Sequence, residues 1–169
     1  VMMVRTLRDA LTMHFGFNPD HAVALRVDLA MQRYTREQGQ IFQRRLISQV
    51  RALPGVEAAG LSNSIPLSID QSSSTVLVEH KPVPPVSQRT VAVVYQTGPD
   101  YFRAVGTRLT AGREFDERDN ASALHVAIVN QTFVDKLMPG EHPLGKRFRF
   151  GVNNDWKQIV GVVEPGKYQ

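Results

Sequence analysis

Two observations in the sequence predict an α+β fold. In the first half, two segments with alternating apolar residues flank a segment of helical periodicity, the pattern of a strand–helix–strand unit. In the second half, short strand patterns outnumber short helical ones, and proline and glycine separate them. The 169 residues suffice for one domain or two small lobes around a core.

Four elements are predicted in the first half. Met2–His14 is predicted to be a helix and Ala22–Ala30 a strand. Thr35 begins a second helix, because Gln38 follows at the spacing of a capping box. Val56–Ser64 is predicted to be a second strand, parallel to the first and reached by a right-handed crossover. The apolar stripe of the middle helix comprises Ile41, Phe42, Leu46, Val50 and Leu53.

The second half begins with a polar loop, Ser68–Ser74, and continues with short elements. Strands are predicted at "STVLVEH", "RTVAVVYQ" and "LHVAIVN", and helices at "GPDYFRAVG" and at Gln131–Met138. The proline-rich "KPVPP" favours an extended connection between the first two strands. "KRFRFG" and "WKQIVGVVE" are predicted to pair antiparallel around an Asn-Asn-Asp turn.

Composition excludes several classes of function. The chain has no cysteine, which excludes disulfides, thiol catalysis and cysteine-ligated zinc. The net charge of +4 is spread without a basic run, so nucleic-acid binding is suggested only by the pI of about 9.7. No apolar stretch is long enough to span a bilayer, and the N-terminus lacks the apolar core of a signal peptide. We expect the chain to be part of a longer protein.

The stretch "PGEHPLGKRF" is similar to the phosphate-binding loop of nucleotide enzymes, with Gly140 followed by Gly145 and Lys146. That loop requires a hydroxyl after the lysine, where this chain has Arg147. Pro143 removes one backbone N–H donor. A helix-to-strand turn is therefore the favoured interpretation.

The candidates for other chemistry are incomplete. Ser62 lies in "GLSNS", which lacks the last glycine of a nucleophile elbow, so a hydrolase using Ser62 with His80, His125 or His142 remains only an alternative. None of the five histidines is spaced from another as metal ligands are. The acidic residues Glu114, Asp116, Glu117 and Asp119 lack the pattern of a calcium loop, and Asp116 is expected to cap a short helical turn. The aromatic residues Tyr101, Phe102 and Trp156 are expected to be core or interface anchors rather than stacking platforms for bases.

Several motifs occur together in a fixed order. The second half contains "GPDYFRAVGTRLTAGREFDERD", then "HVAIVNQTFVDKLMPGEHPLGKRFRFG", then "WKQIVGVVE". In the first half, "GFNPDHAVALRVDL" precedes a helix that leads into "VRALPGVEAAGLSNSIPL". Over nearly the whole chain, this series resembles the MacB-like periplasmic core domain of MacB/FtsX-type ABC transporter permeases.

The resemblance implies a two-lobed fold. Residues 1–67 would form a membrane-proximal helix and a strand–helix–strand lobe, and residues 68–150 a mostly β inserted lobe with short helices. Residues 151–169 would return as a strand to the first lobe.

The resemblance also implies a function without catalytic, cofactor-binding or metal-binding residues. The domain would lie outside the cytoplasmic membrane and would transmit ATP-driven conformational change to a partner or cargo. Its partners would be the rest of the permease with its transmembrane helices, a separate ATPase domain or subunit, and a periplasmic adaptor or substrate, with dimerisation in the full transporter. The loops Ser68–Ser74 and Pro82–Pro85 are expected to face the partner.

Overall fold

The computed structural model describes residues 22–28, 34–64, 72–120 and 122–165, which form helices and one mixed sheet. The predicted helix Met2–His14 lies outside these ranges. The presence of helices beside a largely antiparallel sheet confirms the α+β fold. In chain order the elements are α1 (Arg36–Arg51), β1 (Ser72–Val78), a 3-10 helix (Val86–Gln88), β2 (Val91–Val94), α2 (Tyr101–Ala104), β3 (Leu109–Gly112), β4 (Val126–Asn130), α3 (Gln131–Leu137), β5 (Arg147–Phe150) and β6 (Lys157–Val163).

Helix α1 begins at the predicted capping box. The Thr35 hydroxyl accepts a hydrogen bond from the Gln38 N–H at 3.2 Å, and the Gln38 side-chain oxygen accepts one from the Thr35 N–H at 3.0 Å. Both N–H groups would otherwise lack a partner within the helix. The helix ends at Arg51, and Gly55, with a φ of 82°, lets the chain turn away.

The half-buried face of α1 differs from the predicted stripe. Ile41 is 64% exposed, and Leu53, beyond the end of the helix, is 56% exposed. Consecutive helical residues point about 100° apart around the helix axis, so Ile41 projects away from the half-buried face that contains Phe42. The half-buried face is formed by Gly39, Phe42, Leu46, Ile47 and Val50.

The strands predicted on either side of α1 do not form in the described residues. Residues 22–28 have no strand pairing, and Val23 and Leu25 are 87% and 81% exposed. Residues 56–64 make one isolated antiparallel bridge, from Ser62 to Thr97. A strand requires a neighbour that accepts its backbone hydrogen bonds, and an alternating pattern does not supply one. The predicted crossover around α1 is therefore wrong for this part of the chain.

Strand β6 is the centre of the sheet because it pairs with three other strands. At Lys157 and Gln158 it pairs antiparallel with β5, and between Gly161 and Val163 it pairs antiparallel with β3. Strand β4 runs parallel to it. Strand β5 pairs with β1 and β1 with β2, giving the order β2–β1–β5–β6–β3 with β4 beside β6.

The strand predictions for the second half are mostly confirmed. The predicted pairing of "KRFRFG" with "WKQIVGVVE" is the antiparallel β5–β6 pair. The parallel pair is β4 with β6, connected through α3 and β5, and not the pair predicted around α1. Strand β3 was not predicted, and Ser72–Ser74, expected in a loop, are the first residues of β1.

The hydrophobic core lies between α3 and the sheet. The Asn130 side chain caps α3 by accepting the Phe133 N–H at 2.9 Å, so the helix starts directly from the end of β4. Met138, just beyond α3, is 0% exposed. The buried core residues are Val76, Val129, Val134, Met138, Phe148, Ile159 and Val162.

The division into residues 1–67, 68–150 and 151–169 remains a prediction. The sheet contains strands from the last two of these segments, since β6 pairs with β3, β4 and β5.

Candidate functional site

The segment after α1 lies against the segment that leads into α2, and we call this contact between residues 59–64 and 95–101 the joint. The isolated bridge between Ser62 and Thr97 is at its centre. The hydrogen bonds of the joint run from the Asn63 N–H to the Gln96 carbonyl at 2.9 Å, from the Gly98 N–H to the Leu61 carbonyl at 2.9 Å, and from the Gln96 N–H to Asn63 Oδ1 at 2.8 Å. The joint therefore connects α1 with the chain that enters the sheet region.

Arg51, the last residue of α1, adds side-chain bonds to the joint. Its Nε and Nη2 donate to the Ala59 carbonyl at 3.2 and 3.0 Å. Nη2 also donates to the Pro99 carbonyl at 3.4 Å and lies 2.7 Å from Asp100 Oδ2. A planar guanidinium can hold several acceptors in fixed directions. Arg51 thereby fixes the end of α1 relative to both sides of the joint.

Gly60 permits the closest approach within the joint. A Cβ atom at this position would lie 2.5 Å from the Tyr101 Cα and 2.8 Å from the Tyr101 nitrogen. Tyr101 is 8% exposed and is hydrogen-bonded to Ser62. Burial raises the pKa of the Tyr101 phenol, and the hydrogen bond with Ser62 acts in the opposite direction. The joint is thus packed backbone against backbone at Gly60.

Carboxylates of like charge lie near the joint. Burial raises the pKa of Glu114, the charge of Asp100 raises it further, and Arg103 lowers it. Asp100 adopts a left-handed backbone with a φ of 61°. Arg51 and Arg103 offset the repulsion between the two carboxylates.

A second feature is a cleft of about 360 Å³, which we call the charged cleft. Glu79 Oε2 accepts from Arg147 Nε at 2.7 Å across the β1–β5 pair. Lys81 Nζ donates to Glu141 Oε1 at 2.6 Å and to the Leu137 carbonyl at 2.8 Å. Lys146 binds the other oxygen of Glu141. The cleft is lined by Val78, Glu79, His80, Lys81, Glu141, Gly145, Lys146 and Arg147.

His80 occupies an unfavourable backbone conformation at the mouth of this cleft. Its φ is 61°, and the Lys81 N–H bonds to the Val78 carbonyl at 3.3 Å to close the turn. A positive φ at the third residue of a turn favours glycine. The His80 side chain is 89% exposed.

The residues considered for a serine hydrolase are not brought together. The Ser62 hydroxyl donates to the Ser64 carbonyl at 2.6 Å, and no histidine is hydrogen-bonded to it among the described residues. His80 and His125 lie 3.7 Å from Glu79 and Asp155 respectively. His142 is exposed. Within the described ranges, no group of three His, Asp or Glu side chains is placed to bind a metal ion.

The glycine–lysine stretch is the expected helix-to-strand turn. Helix α3 precedes it and β5 follows it, the reverse of a phosphate loop. The Gly145 N–H donates to the Ile159 carbonyl at 2.8 Å and so is not available to cradle a phosphate.

The acidic stretch closes a loop after β3. Asp119 accepts two bonds from Arg113, at 2.6 and 2.8 Å, and these bonds lower its pKa. Asp116 accepts the Arg118 N–H at 2.9 Å, although the turn it closes is not helical. The bonds from Arg118 lower the pKa of Asp116 to about 2. The Glu117 side chain is exposed.

The aromatic residues act as packing anchors. Tyr101 and Phe102 contact edge-to-face with ring centroids 5.3 Å apart. The Trp156 ring is covered by the Arg149 guanidinium at 4.6 Å.

Sequence reasoning missed the main residues of the joint. The apolar stripe of α1 does not single out Arg51, and Gly60 stands in the sequence only as the first residue of the incomplete "GLSNS" motif. The one local signal was an arginine in the last turn of a helix, where it can bind carbonyl groups.

No helix in the described parts of the chain combines the length and apolarity needed to cross a bilayer.

The profile of the family described as MacB-like periplasmic core domain matches residues 3–169. The macrolide export ATP-binding/permease protein MacB of Syntrophobacter fumaroxidans is 28% identical over 159 residues, covering 81% of this chain and 22% of the relative. MacB 2 of Aeromonas hydrophila is 39% identical over 67 residues, covering 40% of this chain and 10% of the relative.

The matched region thus spans between about a tenth and about a fifth of these relatives. The extracellular domain of the noncanonic ABC-type transporter YknZ from Gram-positive bacteria has a TM-score of 0.50 and 20% identity, covering 71% of this chain and 56% of that one. This likeness supports the fold alone. Because the family profile matches nearly the entire sequence, this chain belongs to the MacB-like periplasmic core domain family.

Proposed function

We propose that this chain is a non-catalytic extracytoplasmic domain of an ABC transporter permease, and that it transmits ATP-driven conformational change to a partner or cargo. Membership of the MacB-like periplasmic core domain family supports the first part. The relatives are described as ATP-binding/permease proteins, which supports an ATPase located elsewhere in the transporter. The further partners are the membrane helices of the permease and a periplasmic adaptor or substrate, and the transporter would be a dimer.

The joint is the observation that carries the mechanical part of the proposal. Transmission requires that a displacement of α1 move the sheet rather than be lost between them. Arg51 binds both sides of the joint, and Gly60 packs against the Tyr101 backbone without an intervening side chain. We infer that the joint stays closed during the ATP cycle and moves as one body.

Engineered cysteines test this inference directly. Ser62 and Thr97 face each other as a non-hydrogen-bonded antiparallel pair. The hydrogen bonds between the two segments are made by the residues on either side of them, from Asn63 to Gln96 and from Gly98 to Leu61. The Cα separation of about 4.5 Å in such pairs is within the range for a disulfide. The chain has no cysteine of its own to compete.

The measurement is hydrogen exchange of the sheet in the full permease with its ATPase, with and without ATP and vanadate. In oxidised S62C/T97C, we expect the nucleotide-dependent change to equal that of the reduced protein. Loss of the change on oxidation would mean that the joint opens during the cycle. In G60A the nucleotide-dependent change in hydrogen exchange should appear in α1 but not in the sheet. G98A is the control and should behave as wild type, because its new methyl group would contact only Leu61, at 3.7 Å.

The partner-facing surface is proposed at the connection between β1 and β2 and the start of β1. Val83 and Val86 are 54% and 75% exposed beside Pro82 and Pro85, and an extended proline-rich segment loses little entropy on binding. The double variant V83S/V86S should weaken partner capture by the full permease. V152S, a change at a valine 50% exposed in the β5–β6 turn, is the matched control. Equal capture by both variants would exclude this surface.

The genomic context gives an independent test. A run of about 20 apolar residues just upstream of Val1, with further runs downstream of Gln169, is expected for an external domain of a permease.

A further inference from the structure

Hydrogen-bond donors outnumber acceptors in the charged cleft. Three cationic side chains line it, from Lys81, Lys146 and Arg147, together with two carboxylates, from Glu79 and Glu141. Each of these side chains is partly exposed, with the cations at 37%, 40% and 44%. The cleft therefore carries a positive excess that water can reach.

Each of the four carboxylate oxygens accepts a hydrogen bond from a cation of the cleft, and the cations carry more donors than these bonds use. Arg147 uses Nε and Nη2 on Glu79, which leaves Nη1 outside the described hydrogen bonds. Lys146 makes one described hydrogen bond, to Glu141, although an ammonium group has three donors. Lys146 and Arg147, which carry these further donors, both line the cleft.

We propose that the charged cleft binds an oxyanion, a phosphate or carboxylate group, between Lys146 and Arg147. An incoming oxyanion would use the remaining donors without displacing Glu79 or Glu141. Arg and Lys are the side chains that bind such groups with charge-assisted hydrogen bonds. This site goes beyond the proposed transmission of motion and does not depend on it.

The backbone of His80 supports a ligand at this position. A residue other than glycine at a φ of 61° costs stability, and such residues concentrate at binding sites. The turn thereby places an imidazole, 89% exposed, at the edge of the cleft. His80 supplies a further donor for an anion at the mouth.

The recognition differs from that of a phosphate loop. The Gly145 N–H is bonded to the Ile159 carbonyl, and the Lys146 N–H is bonded to the Pro143 carbonyl at 3.1 Å. Side chains rather than backbone N–H groups would hold the anion. The selectivity for a nucleotide that a phosphate loop provides is therefore not expected.

The test is titration of the 169-residue chain with sodium phosphate at constant ionic strength, followed by amide chemical shifts in NMR. We expect saturable shifts at Glu79–Lys81 and Gly145–Arg147. K146M should weaken phosphate binding about tenfold or more, since a hydrogen bond to a charged group contributes about 1.5–3 kcal/mol. H80G should weaken binding by a smaller factor while the spectrum stays folded.

The matched control is K136M, which removes the same charge from the exposed face of α3, outside the cleft. Weakening by K136M as large as that by K146M would show unspecific charge attraction and overturn the site. The absence of saturable shifts with every anion tested would also overturn it.

Further titrations distinguish the sources of the anion. Sodium acetate in place of phosphate separates carboxylate from phosphate ligands. Phosphatidylglycerol vesicles, compared with phosphatidylcholine vesicles, separate a lipid headgroup from a free anion. Binding of phosphate, acetate or vesicles supports the site only when K146M weakens that binding and K136M does not.

Discussion

Arg51 at the end of α1 and Asp100 before α2 form an ion pair, with Nη2 and Oδ2 2.7 Å apart. The two residues are distant in sequence, and their ion pair ties the end of α1 to the joint. Arg51 Nη2 also donates to the Ala59 carbonyl on the other side of the joint. Both side chains are about two-fifths exposed, so the pair is screened by water. The ion pair by itself therefore adds little to the stability of the fold and mainly sets the direction of α1.

Replacing Arg51 by Met should loosen the joint. R51M removes the hydrogen bonds to Ala59 and the ion pair to Asp100, and we expect a loss of about 1–2 kcal/mol in the free energy of unfolding. Urea unfolding measures this loss, and hydrogen exchange should speed up at Asn63 and Gly98, whose N–H groups donate across the joint. R45M, at an exposed position of the same helix, should change stability by less than about 0.5 kcal/mol. Equal effects of the two variants would contradict the assigned role of Arg51.

Adding a methyl group at Gly60 should separate the two sides of the joint. The nearest atoms belong to the Tyr101 backbone, which cannot rotate away as a side chain can. We expect G60A to lower the free energy of unfolding by about 1–3 kcal/mol, the usual cost of overpacking. G98A should be close to neutral, because its methyl would make an ordinary contact of 3.7 Å with Leu61. A G60A variant as stable as G98A would show that the joint is not closely packed.

Glu141 should make stability depend on pH in the acidic range. Hydrogen bonds from Lys146 and Lys81, with the charges of both, lower the pKa of Glu141 from 4.5 to about 2. Because the folded pKa lies below the unfolded one, this stabilisation is complete above about pH 4.5 and is lost as the pH falls towards about 2. In that window, E141Q should lose less stability than wild type.

The pH dependence is measured by urea unfolding midpoints at several pH values. E117Q, a change at an exposed glutamate outside the cleft, is the control and should follow wild type. Parallel curves for wild type and E141Q would refute the assignment.

Replacing His80 by Gly should stabilise the fold. The left-handed backbone costs a residue with a Cβ about 1–2 kcal/mol, and the greater flexibility of glycine in the unfolded chain offsets part of the gain. We expect H80G to be about 0.5–1 kcal/mol more stable in thermal or urea unfolding. S87G, in the neighbouring 3-10 helix where φ is not positive, should be destabilised instead. Destabilisation of H80G would mean that the imidazole makes contacts that offset its backbone strain.

The parts predicted correctly are those with a local cause. The capping box of Thr35 and Gln38 is contained within four residues, and the alternation of β1, β4 and β6 reflects burial against one core. Helix α3 follows from its apolar spacing and its Asn130 cap.

The failures depend on partners distant in sequence. Residues 22–28 alternate as a strand does but have no neighbouring strand among the residues that the structure describes. Strand β3 contains Thr110 and Gly112 and is fixed by its pairing with β6, about fifty positions later. Gly60 and Arg51 acquire their roles only from contact with Tyr101 and Asp100. No local pattern encodes such contacts.

The position of β6 has a consequence for synthesis. This strand lies at the centre of the sheet, yet it is the last of the described elements in chain order and so the last of them to leave the ribosome. Until residues 157–163 emerge, β3 and β4 have no partner, and β5 lacks one of its two neighbours. Such long-range pairing delays folding and leaves strand edges open to proteases and to other nascent chains. A polypeptide released before Lys157 could therefore form only the β2–β1–β5 pairing, and β3 and β4 would remain open to proteases.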